Sequence, residues 1–161
     1  MESESPELEI VVATAEETRA LGARLGRALA VGDVLALVGP LGSGKTTFAQ
    51  GLAVGLEVPA DRHVASPTFA LVNEHPGRVP FVHADFYRIE RPEELRELGL
   101  EEACERATVA LEWADRYPQV VPADHLQIVF SSQSDGSRRL RLRATGPRGR
   151  ALVGALAARG A

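Results

Sequence analysis

Apolar positions along the chain alternate between strand-like and helix-like stretches. Leu8 to Val12 reads as a short strand, and Thr14-Ala15-Glu16-Glu17 has the form of a capping box that opens a helix. Leu21, Leu25, Ala28 and Leu29 then recur at helical spacing until Gly32-Asp33 breaks the pattern. Val34 to Val38 is a continuous apolar run of buried-strand type; GPLGSGKTT follows it, and Phe48, Leu52, Ala53 and Leu56 resume helical spacing. Pro59 to Ser66 is a loop. Two β-rich runs, Phe69 to Asn73 and Pro80 to Ala84, flank the turn-forming His75-Pro76-Gly77-Arg78 and predict a hairpin. Pro92 with Glu93 and Glu94 opens a short helix that Gly99 ends, and Glu101 to Glu105 extends the helical character by a second turn. Thr108 to Leu111 is a strand that ends on Glu112-Trp113. His125 to Ser131 and Arg139 to Arg143 alternate around SQSDGS as a second hairpin, and Ala151 to Ala158 closes the chain as a helix.

Composition narrows this to one domain. The chain has 161 residues, 45% hydrophobic and 25% charged, which suits a single core spanning 1–161 and leaves little room for a second. The lone Cys104 can form no internal bridge, so no disulfide framework is expected. A net charge of -4 argues against a strongly basic nucleic-acid binder. No apolar run approaches the roughly 18 residues of a membrane span, and the acidic start MESESPELE is unlike a signal peptide; a cytoplasmic location is expected, with Met1 to Glu7 a tail without fixed structure.

Among eighteen Lys and Arg the only Lys is Lys45, and it falls in Gly39-Pro40-Leu41-Gly42-Ser43-Gly44-Lys45-Thr46, which fits G-x-x-x-x-G-K-[ST] at every position. Glycines let the backbone wrap a phosphate with its N–H groups inward, the next helix offers its positive N-terminus, Lys45 reaches the terminal phosphates, and Thr46 offers a hydroxyl to Mg²⁺. A buried-strand run before the loop and a helix after it supply the context the motif needs. Leu41, Gly42, Ser43, Gly44, Lys45, Thr46 and Thr47 are therefore candidate nucleotide contacts.

Hydrolysis or transfer also needs a carboxylate near the ion and a group that orients the attacking water. Two strands end in an acid, at Asp85 and at Glu112, and ligands of parallel α/β sheets bind outside the carboxyl ends of strands. The weaker alternative for either acid alone is a helix cap or a surface charge. Thr68, in Ser66-Pro67-Thr68-Phe69, occupies the place of a loop that senses a γ-phosphate, or forms a plain turn before a strand. His83 reads as a core or near-site histidine, since no second His or Cys stands at ligand spacing. Tyr87 and Arg88 suit either packing or a partner surface, and Trp113 either covers a nucleotide or caps the core.

Taken in order, GPLGSGKTTFAQGL, SPTF, HADFYR, PEELRELGLEE and ALEWADR resemble the TsaE (YjeE) family, the small bacterial P-loop ATPase of tRNA threonylcarbamoyladenosine biosynthesis. The resemblance runs from about Val34 to Tyr117. It implies an α/β, P-loop NTPase-like three-layer fold with a mixed, partly antiparallel central sheet, and ATP with Mg²⁺ in the loop. It further implies Thr46 and Glu112 as metal-side residues, Thr68 and Asp85 near the γ-phosphate, and Thr14 to Thr18 and Arg138 as nucleoside contacts. The implied partners are TsaD and TsaB, with tRNA reached through their complex, and the free protein is expected to be a monomer. Glu112 departs from the Asp usual at such a strand end.

Three other functions are weighed. A GTP switch would use an Asn-Lys-x-Asp motif, which is absent because Asn73 is the only Asn and Lys45 the only Lys. A small-molecule kinase needs an acceptor pocket and lid, for which this length leaves little chain. A nucleotide-binding module would show no turnover.

Overall fold

The computed structural model describes residues 7–62, 64 and 72–157. Seven strands form one mixed sheet in the order β1-β7-β6-β2-β5-β4-β3. Its centre is parallel: β2 (Val34–Val38) lies between β6 (Leu126–Ser132) and β5 (Thr108–Glu112), and β5 pairs in parallel with β4 (Phe81–Asp85). Antiparallel strands complete both sides, with β3 (Val72–His75) on β4, β7 (Arg138–Ala144) on β6, and β1 (Glu7–Val12) on β7.

The apolar runs of β2, β4 and β5 are buried on both faces, as parallel strands under helices must be. One face, carrying Leu35, Leu37, Phe81, Ala110, Ile128 and Leu140, packs under α1 (Ala15–Ala28), α2 (Lys45–Gly55) and α4 (Pro147–Ala157). The other, carrying Val34, Ala36, Val82, Val109 and Leu111, packs under a 3-10 segment, Pro92–Leu98, and α3 (Leu100–Arg106). These are the expected three layers and mixed sheet. β7 alternates buried Leu140, Leu142 and Ala144 with exposed Arg139, Arg141 and Arg143; Arg139 and Arg141 pair with Glu9 and Glu7 across the edge.

Four glycines set the distance between α1 and the loop helix α2. A Cβ on Gly22 would lie 2.4 Å from the Phe48 carbonyl oxygen, one on Gly26 2.5 Å from that of Leu52, and ones on Gly51 and Gly55 2.2 Å from those of Arg19 and Ala23. The two backbones therefore touch where side chains would otherwise hold them apart. This close crossing carries the start of α1 to the mouth of the glycine loop.

Several boundaries differ from the sequence reading. Glu7 belongs to β1, opposite Arg143, so the last residue of the expected tail is part of a strand, and the rest of that tail lies outside the described residues. The first hairpin exists, but β3 runs on to His75 and Phe69 to Leu71 lie outside the described residues. The helix expected at Pro92 is 3-10, ending at Gly99 with φ +67°. α4 starts at Pro147 instead of Ala151, because Asp124 caps it from a distant loop, accepting from the N–H groups of Arg148 at 3.0 Å and Gly149 at 3.0 Å. No helix among the described residues is long and apolar enough to cross a membrane.

Candidate functional site

The glycine loop lies between β2 and α2, as its sequence context requires. Gly42 and Gly44 take left-handed backbones, φ +75° and +108°, and a Cβ on Gly39 would lie 2.8 Å from the Phe130 carbonyl oxygen. No side chain caps α2, whereas α1 is capped by the Thr14 hydroxyl, which accepts from the Glu17 N–H at 3.1 Å. The Glu17 carboxylate completes that box one residue further back than the usual pattern, on the Ala13 N–H at 2.6 Å. An uncapped N-terminus keeps its N–H groups and about half a positive charge for an anion.

Inside the loop the Ser43 hydroxyl is buried without a hydrogen-bond partner. The Lys45 ammonium donates to the carbonyl oxygens of Gly39 and Pro40 and lies 3.8 Å from the centre of the Trp113 ring. Burial lowers the Lys45 pKa, while the charges of Glu112, Asp85 and Asp115 pull it back up. An amine folded onto its own loop, an orphaned hydroxyl and a bare helix end are what a polyphosphate would engage.

Both strand-end acids reach this place. Asp85 and Glu112 are register partners at the carboxyl ends of β4 and β5, and Leu37 of β2 is the partner of Glu112 on the other side. Asp85 accepts from the Tyr87 N–H at 2.8 Å, which fixes the turn after β4. Glu112 contacts His83 at 2.6 Å. Trp113 adopts a left-handed backbone, φ 58°, uncommon for a bulky residue, and its ring meets that of Tyr87 at 4.9 Å between centres.

One cavity of about 520 Å³ joins these groups. Leu41 to Thr47, Asp85, Glu112 and Trp113 line it together with Thr14, Thr18 and Arg138. The two segments proposed for nucleoside contact are thus neighbours: Val12 is the register partner of Arg138 across β1 and β7. Tyr87 and Arg88 also face the cavity. Thr68 lies outside the described residues. Among the described residues no cluster of three His, Cys, Asp or Glu forms a metal cage. Thr46 and Glu112 instead suit Mg²⁺, which is bound through one or two protein oxygens together with substrate phosphates.

A family model described as "Threonylcarbamoyl adenosine biosynthesis protein TsaE" matches residues 12–140. The chain belongs to the TsaE family. It is 40% identical over 139 residues to the tRNA threonylcarbamoyladenosine biosynthesis protein TsaE of Nostoc sp. PCC 7120, covering 83% of each chain. It is 43% identical over 136 residues to the protein of that name from Bacillus subtilis, again covering 83% of each. The crystal structure of YdiB from Bacillus subtilis superposes with a TM-score of 0.84 at 32% identity and covers 97% of both chains. The P-loop NTPase fold is that of the TsaE family, and its matched span takes in both acids, the loop and Arg138.

Sequence reasoning missed two features of this TsaE site. The His83–Glu112 contact depends on β4 lying beside β5, which no local pattern announces, although a His two residues before one strand-end acid was a faint signal. The left-handed turn at Trp113 carried no sequence signal, because it places no glycine there.

Proposed function

We infer that the protein is a Mg²⁺-dependent ATPase that supports formation of N6-threonylcarbamoyladenosine at position 37 of tRNA, acting with TsaD and TsaB in the cytoplasm. The observation that carries this reading is a single cavity in which an uncapped loop helix, the Lys45 amine and two strand-end carboxylates converge. Family membership supplies the pathway, since the relatives named above are tRNA threonylcarbamoyladenosine biosynthesis proteins.

In this reading the N–H groups of Gly42 to Thr47 and the Lys45 ammonium bind the phosphates. Lys45 leaves the Gly39 and Pro40 carbonyls to do so. Thr46 and Glu112 would hold Mg²⁺, which when bound neutralises charge on the phosphate oxygens. Asp85 or Thr68 orients the attacking water, and Thr14 and Arg138 border the nucleoside. Positioning and electrostatics do most of the work in phosphoryl transfer, and the sequence fixes no obvious arginine finger, so hydrolysis is weak alone and rises when partners order the site.

The test is ATP hydrolysis by the purified protein, alone and with TsaD, TsaB and substrate tRNA, beside Lys45→Ala. Stimulated release of free phosphate that vanishes in the variant supports the reading. A phosphorylated acceptor in place of free phosphate would instead identify a kinase, and binding without turnover a nucleotide-binding module.

A further inference from the structure

The carboxylate of Glu112 is held by a buried histidine that the reading above does not use. His83 precedes Asp85 by two residues on β4, and its register partner Ala110 precedes Glu112 by two on β5. The period of a strand thus places His83, Asp85 and Glu112 on one face, the face that carries Phe81 and Ala110 beneath the loop helix. His83 is fully buried, and its ring stacks on Phe81 with 5.9 Å between centres and 10° between planes. Nε2 lies 2.6 Å from Oε2 of Glu112, and Nδ1 has no partner.

This asymmetry places the proton. A neutral imidazole has one N–H and one acceptor nitrogen, and a buried N–H without an acceptor bears its full desolvation cost. Glu112 is the only hydrogen-bond partner of the ring among the described residues, so the N–H belongs on Nε2 and the bare lone pair on Nδ1. With the ring reversed, so that Nε2 accepted in place of donating, the N–H would sit on Nδ1 facing nothing.

We propose that His83 is a positioning residue: its ring donates from Nε2, ties Oε2 of Glu112 and leaves Oε1 as the oxygen presented to the nucleotide cavity. Glutamate has one more rotatable bond than the aspartate usual at such a strand end, and the tie removes that freedom. Glu112 makes no other side-chain hydrogen bond to a described residue, so nothing else fixes which oxygen turns outward. The geometry stands by itself; the effect on turnover rests on the ATPase reading.

The test joins a spectrum with two variants. The ¹⁵N chemical shifts of His83 in the nucleotide-free protein, assigned by their loss in His83→Gln, should show a proton on Nε2. A bare Nε2, with the proton on Nδ1, overturns the proposal. His83→Leu keeps apolar bulk without a donor; it should lower kcat of the partner-stimulated reaction roughly tenfold or more while ATP affinity stays within about twofold. His83→Gln, whose amide N–H reaches toward the same oxygen, should recover most of that loss. Native kcat in His83→Leu, or a His83→Gln as impaired as the leucine variant despite a native melting temperature, overturns it. If His83→Leu fails to fold, the spectrum and the glutamine variant decide. If the native protein shows no Lys45-dependent hydrolysis, the ATPase reading fails, and the spectrum alone still decides where the proton lies.

Discussion

Gly51→Ala should loosen the joint between α1 and α2. An added Cβ would lie 2.2 Å from the Arg19 carbonyl oxygen, against 3.4 Å for ordinary contact, so the helices must part by about 1.2 Å. Overpacking costs about 1–3 kcal/mol where side chains can yield, and here the obstacle is backbone, which points to the upper end. Alanine returns about 1 kcal/mol of helix propensity, leaving a net loss of about 2 kcal/mol. For a domain of this size that lowers the melting temperature by about 4–8 °C. Because α1 carries Thr14 and Thr18 to the cavity, ATP affinity should fall as well. The control is Gly154→Ala on the exposed side of α4, where a Cβ meets nothing within 4 Å. It gains up to about 1 kcal/mol and melts about 2–4 °C higher. Thermal melting followed by circular dichroism, with calorimetric titration of ATP, reads both. A Gly51→Ala protein that melts at or above the native temperature would refute the argument.

Further outcomes follow from the site and from α4. Lys45→Ala should abolish ATP binding in a calorimetric titration yet leave melting close to native, since the amine it removes is disfavoured by burial in the nucleotide-free protein. Glu112→Ala should lose Mg²⁺-dependent phosphate release while retaining some nucleotide affinity, measured by the same titration. Asp124 links α4 to pH. Burial pushes its carboxyl pKa up, but the N–H groups of Arg148 and Gly149 and the charges of Arg150 and Arg148 outweigh this and leave it below the ordinary 3.8. The folded state therefore favours the carboxylate, and its stabilisation is complete above that ordinary value and lost as pH falls through the lower folded one. Asp124→Ala should destabilise the protein by about 1 kcal/mol at neutral pH, and the difference in melting from the native protein should shrink in acid below 3.8.

What could be read from the sequence was local. The glycine loop, the Thr14 cap, the second hairpin and the acids ending two strands each depend on residues close together in the chain, where spacing and turn chemistry act directly. What could not be read depends on which elements become neighbours. Asp124 reaches α4 from a distant loop and moves its start four residues earlier than periodicity alone indicates. Arg148 forks onto the buried Asp33 with contacts of 2.8 and 2.7 Å, although the two lie far apart in sequence. The 3-10 geometry of Pro92–Leu98 was hidden because its apolar residues suit either helix. Thr14 and Arg138 were joined to the loop only through family resemblance, and the crossing of glycines that brings α1 there has no pattern distinct from ordinary helix packing.

The pairing of β1 with β7 also bears on how the protein is made. β1 leaves the ribosome before the other described elements, yet its only strand partner among them, β7, precedes only α4. Thr14 follows the one and Arg138 opens the other, so the two walls beyond the phosphate loop are assembled together and late. A nascent chain that has already extruded the glycine loop and both acids would still lack a finished cavity. In the ATPase reading, the walls that border the nucleoside close only once β7 has paired with β1.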